Sequence, residues 1–220
     1  LDKNRFTASL ERSGSEPYFA NISATEIDVS PFLDLDDPEN KAIETSRTAS
    51  TTHIEIVAEK AHFLNGIEAT NLTLQSIFTE NGPQQSKGKA TFASEKDVRL
   101  SIFIEDNGTR SLSMTTEDAG ALLSGTGLFA HGRGGKMEFN GQIVGWGKTL
   151  ELDGEAHGER IIVVPVSMLD SLATIGVITG IDEIVGGKGT TFDTMIMPFT
   201  YNKGLLDMNG LRAAGGDIGL

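Results

Sequence analysis

Apolar and polar residues alternate along most of this chain. In "HIEIVAE" Ile54 and Ile56 share a face, in "NLTLQSIF" Leu72 and Leu74 do, and in "VRLSIFIEDNG" Leu100, Ile102 and Ile104 do. A repeat of two places successive side chains on opposite faces of a pleated ribbon, so each stretch predicts a half-buried β-strand. The same reading predicts strands over 6–10, 18–29, 89–94, 110–114, 136–144, 149–156, 160–166, 192–201 and 205–213. Turn signals separate them at Asn81-Gly82, Asn107-Gly108, Lys203-Gly204 and Asn209-Gly210. The expected arrangement is mostly a meander of antiparallel strands.

Two stretches break this period. "TTEDAGALLSGTG" predicts a short helix with Thr116 as its N-cap, Glu117 and Asp118 in a first turn where the helix dipole favours acids, and a stop at Gly125 or Gly127. A second helix is predicted from Ser167, with Asp170 in a variant of the capping box and Leu169, Leu172, Ile175, Ile178 and Ile181 broadly on one side. The polar, aperiodic segment 34–50 predicts a long solvated loop. It imitates a calcium loop, but Pro38 takes the fifth ligand position and Glu39 stands where glycine is needed. The expected fold class is β-rich α+β, mainly β with two short helices, in a single region spanning 1–220.

Composition narrows the functions. With 220 residues, 38% apolar and 22% charged, the chain can bury a core. A net charge of −13 argues against nucleic acid as a partner and against simple docking on anionic lipid head groups. There is no cysteine, which excludes disulfides, thiolate metal sites and a cysteine nucleophile. No apolar run approaches the roughly 18 to 20 residues of a membrane span. The first residue is Leu1 and no leader opens the chain, which points to a processed chain or a piece of a longer one.

Recognisable catalytic chemistry is sparse. Gly186-Gly187-Lys188 imitates a phosphate loop, but Lys188 is followed by Gly189 and no glycine stands five residues before Gly187, so no nucleotide is expected. His53, His62, His131 and His157 lack any metal-ligand spacing. No G-x-S-x-G elbow is present, and the acid pairs Asp36-Asp37 and Asp182-Glu183 alone support an enzyme, one acting on glycans or esters. No catalytic residue, metal site or cofactor is therefore assigned.

One order of motifs is more specific. Asp118, Ala119 and Gly120 open a short helix, and the double glycine Gly134-Gly135 enters a strand. Pro165-Val166 starts a helix containing Leu169, Ser171, Leu172 and Gly176, followed by a glycine turn, a strand with Phe192 and Phe199, and a closing "GLRAAGGDIGL". This order resembles the C-terminal region of bacterial AsmA-like proteins, best over 115–220, and "ASLERSGSEPYFANISATEIDVSPFL" is similar to that family's repeated pattern. The resemblance implies a long curved antiparallel sheet or groove with helices covering one side. It also implies an envelope protein on the periplasmic side of the inner membrane, anchored by a segment absent from this chain, and a part in phospholipid transport or outer-membrane biogenesis. Under that reading Ile54, Ile56, Leu72, Leu74, Ile102 and Ile104 are the candidate lipid-facing residues, and a phospholipid or other acyl lipid is the partner. Two alternatives stay open: the same residues pack against the two helices in a closed core, or the chain is a structural module that docks on another envelope protein without lipid.

Overall fold

The computed structural model describes residues 5–33, 51–146, 149–164, 189–202, 205–215 and 218–219. It is mainly β, in one large, open, curved sheet. The strands are β1 (Arg5–Glu11), β2 (Tyr18–Asp28), β3 (Thr52–His62), β4 (Glu68–Thr79), β5 (Gly82–Phe92), β6 (Asp97–Ile104) and β7 (Arg110–Thr116). They continue as β8 (Gly132–Arg133), β9 (Lys136–Val144), β10 (Glu151–Val163), β11 (Thr190–Asn202), β12 (Leu205–Asp207), β13 (Arg212–Gly215) and β14 (Ile218–Gly219). Their order across the sheet is almost their order in the chain, with β8 and β12 set beside β10 and β11.

The alternation therefore marks strands as expected, and three differences have physical causes. First, β2 and β3 pair in parallel, the exception in a mostly antiparallel meander. A parallel pair needs a long return connection, and β2 leads into the helical turn α1 (Ser30–Leu33) and then residues 34–50 before β3 begins. Second, the strands predicted over 149–156 and 160–166 are one, β10, because β11 runs antiparallel beside its whole length. Third, the stretch predicted as one strand over 205–213 divides into β12 and β13 around the turn at Asn209-Gly210, where Gly210 has a φ of 85°. The loop predicted over 34–50 and the second helix, from Ser167, lie outside the described residues.

The first predicted helix is α2 (Ala119–Gly125), and its cap is Asp118 in place of Thr116. Asp118 accepts a hydrogen bond from the Ala121 N–H at 3.0 Å and from the Ser94 hydroxyl at 2.6 Å. The Thr116 hydroxyl is engaged one step upstream, accepting from the Asp118 N–H and donating to the Asp97 carbonyl. Helix α2 seals one end of the sheet. Leu122 packs with Ala69, Ala90 and Phe92, and Ala119 packs with Met137, Ala156 and Ile161. Gly120 makes that approach possible, since a Cβ there would lie 2.5 Å from the Arg133 Cα. The Asn65 amide clips the 3₁₀ turn Leu64–Gly66 to the end of α2 by donating to the Ser124 carbonyl at 2.9 Å.

Candidate functional site

Because paired residues in adjacent strands point to the same face, the register says how the alternating residues align. Ala8 lies beside Ile22, Ile22 beside Ile56, Ile56 beside Leu74, and Leu74 beside Gly88. Beyond β5 the same line passes through Leu100, Met114, Phe139, Ala156 and Met197. Ten strands thus contribute one apolar rung each, with Gly88 the one position lacking a side chain. At about 4.8 Å per strand, this line is roughly 43 Å wide.

A second line runs beside it through Leu10, Ala20, Ile54, Ser76, Ser86, Ile102 and Leu112. Its two serines are buried and satisfy each other, with hydroxyl oxygens 2.6 Å apart, while Ser76 also donates to the Gln85 carbonyl. The six residues singled out from the sequence all fall on this face. Ile56 faces Leu74 directly, Ile54 lies one rung along, Leu72 faces Ala58, and Ile102 and Ile104 follow on β6. Five of them are half-buried and Ile104 is exposed. Among the described residues, α2 closes one end of this face and no second sheet covers the rest.

The residues that sequence reasoning left out of the site are those that make the line continuous: Ala8, Ile22, Leu100, Met114, Phe139, Ala156 and Met197. Their period of two was readable, but which strands are neighbours, and in what register, was not.

One charge interrupts the apolar lines. Arg110, in phase with Leu112 and Met114, stands opposite Ile104 on one side and Ile143 on the other. Its Nη1 is buried and has no hydrogen-bond partner. Nearby, Trp146 packs edge-on to Phe78 at 5.7 Å, and a Cβ at Gly82 would meet both the indole and Arg110 Nη1. A buried donor without an acceptor is costly, so this end of the face is where an acceptor would be most welcome.

The opposite face is mostly polar. Glu55 accepts from Gln75, and Lys89 and Arg99 flank Asp97 at 3.2 and 2.8 Å. Hydrogen bonds from Lys89 and then Thr91 hold the Asp97 carboxyl below the usual carboxylate range, with the positive charges of Lys89 and Arg99 adding to the effect. At the end of β3 the buried His62 bridges Glu26 at 2.5 Å and Glu68 at 3.3 Å, tying three strands together. A shallow hollow of about 370 Å³ on this side is lined by Phe19, stacked on His53 at 4.9 Å, with Glu55, Gln75 and Lys87. Among the described residues no group of three metal-ligating side chains converges, and no helix is long and apolar enough to cross a membrane. Compared with known proteins, the chain matches no family model, no curated protein and no solved structure.

Proposed function

We propose that this chain is a non-enzymatic segment of a cell-envelope protein whose apolar sheet face carries acyl lipid. The observation that carries the reading is a line across ten strands with no polar side chain in it, mostly half-buried, lacking a side chain only at Gly88, and without a second sheet over it among the described residues. An acyl chain leaving a bilayer loses about 0.8 kcal/mol for each methylene exposed to water. A surface that carries it must therefore present no polar side chain along its path, which one apolar or glycine position per strand in a common register provides. Arg110 refines the proposal: a half-buried guanidinium whose Nη1 has no acceptor, at the margin of an apolar face, suits an amphiphile with an anionic head group, a phospholipid being the simplest. The order of motifs that resembles AsmA-like proteins agrees with this role and with a place on the periplasmic side of an inner membrane.

The test is native mass spectrometry of the chain purified without detergent, followed by organic extraction of what it carries. Phospholipid at near-stoichiometric levels is the expected result. A lipid-free chain that stays lipid-free after incubation with anionic phospholipid vesicles would overturn the proposal and leave the docking-module reading, for which the open edge at β1 is the supporting observation.

A further inference from the structure

Among the described residues β1 is the outermost strand on one side of the sheet, and no strand ladders onto its outer edge. All seven of its residues are exposed, with Phe6 at 58% and Leu10 at 67%. Such an edge offers a row of backbone N–H and C=O groups to any strand that matches it. What matches is decided by the order of its residues: Arg5, Phe6, Thr7, Ala8, Ser9, Leu10, Glu11.

Set antiparallel against a second copy with Ala8 opposite Ala8, this order complements itself. Phe6 then faces Leu10, Thr7 faces Ser9, and Arg5 faces Glu11, each pair occurring twice. A shift of one residue would set apolar against polar on every rung. A shift of two would put Arg5 against Ser9, or Glu11 against Thr7, and leave a charge unmatched. Cross-strand pairs of opposite charge, of apolar residues and of hydroxyl residues are each favourable, and one register supplies all three. Among the described residues neither the Arg5 nor the Glu11 side chain forms an ion pair, although Arg5 stands opposite Glu26 of β2.

We propose that β1 is a homodimer edge, with two copies of the chain pairing β1 to β1 about a two-fold axis through Ala8. In an antiparallel pair this axis stands perpendicular to the sheet, so the apolar faces of both copies stay on the same side. The line that begins at Ala8 then continues into the Ala8 of the second copy and spans twenty strands in place of ten. A single strand pair buries less than the roughly 1,200 Å² of a stable complex, so the dimer is expected to be weak and concentration-dependent. This inference rests on the edge and its register alone, and it holds or fails whether or not the face binds lipid.

The absence of cysteine makes a direct test possible. Ala8→Cys places one thiol opposite its own copy, at the Cα separation of about 4.5 to 5.5 Å of a directly opposed pair, which a disulfide can span. Oxidation of the full 220-residue chain at high concentration is expected to give covalent dimer from Ala8→Cys. The expectation is much less from Leu10→Cys, which would face Phe6, or from Leu205→Cys, exposed at 71% elsewhere on the sheet. In parallel, sedimentation equilibrium without cysteines reads the charge pairs. Arg5→Glu or Glu11→Arg alone sets two like-charge pairs against each other and is expected to weaken association about tenfold, while the double exchange restores it. No more crosslinking from Ala8→Cys than from Leu205→Cys, or no recovery in the double exchange, would overturn the proposal.

Discussion

Ile56 and Val57 are neighbours in β3 whose side chains leave opposite faces of the sheet, which makes them a sharp probe of which face matters. Ile56 sits mid-line between Ile22 and Leu74, and Val57 pairs with Thr73 on the polar side, where it is 45% exposed. Consider an aspartate at each. Fully burying an isoleucine side chain is worth about 1.5 to 3 kcal/mol, and Ile56 is already half-buried, so about 1 kcal/mol of lipid contact is lost on its removal. An unpaired carboxylate beneath an acyl chain adds a desolvation penalty of about 2 kcal/mol or more. The sum, about 3 kcal/mol, is roughly a hundredfold in affinity. Val57→Asp places its charge among Glu55, Gln75 and Lys89 at a surface already wet, and an effect within about 0.5 kcal/mol is expected. Bound phospholipid per chain by native mass spectrometry is the readout, and urea unfolding of the same preparations separates loss of binding from loss of fold. If both variants remain folded and Val57→Asp strips lipid as thoroughly as Ile56→Asp, the apolar face is not the binding surface.

Other substitutions test the packing and the electrostatics. Gly88→Ala fills the missing rung, its Cβ meeting Leu100 and Leu74 at 3.5 Å without strain, and should raise stability by about 0.4 to 1 kcal/mol in urea titration. Gly120→Ala should do the reverse by about 1 to 3 kcal/mol, because its Cβ has backbone of Arg133 at 2.5 Å in its way. Asp118→Ala removes the cap of α2 and should cost about 1 kcal/mol, whereas Asp118→Asn should retain most of it. Asp97 should titrate below its ordinary 3.8 when followed by carboxyl carbon NMR, with Lys89→Met raising the midpoint more than Thr91→Val. Since the folded value is the lower one, the stabilisation from these contacts is present above 3.8 and is lost as pH falls through the folded midpoint.

The sequence carried the strands more fully than their arrangement. A period of two is imposed by the pleat itself, so "HIEIVAE" and "NLTLQSIF" could be read without knowing their neighbours. The parallel step from β2 to β3 could not, since a connection through 34–50 allows either direction. Asp118 was missed as the cap because Thr116, Glu117 and Asp118 are all acceptable near a helix start, and the choice fell to tertiary contacts: Ser94 reaches Asp118 and the Asp97 carbonyl takes the Thr116 hydroxyl. Arg110 was legible in part. Its place two residues before Leu112 and four before Met114 puts a charge in phase with an apolar face, although nothing in that spacing reveals that Nη1 ends without an acceptor.

The near-identity of chain order and sheet order has a kinetic meaning. Apart from the step into β3, successive main strands up to β7 are joined by short turns to the strand they pair with, so little loop entropy is lost as each one adds. Such a sheet is close to one-dimensional, its cooperativity passed from strand to neighbouring strand as in a repeat protein. Opening should begin at the two outer sides of the described sheet and travel inward, leaving the amide protons of β6 and β7 the last to exchange with solvent.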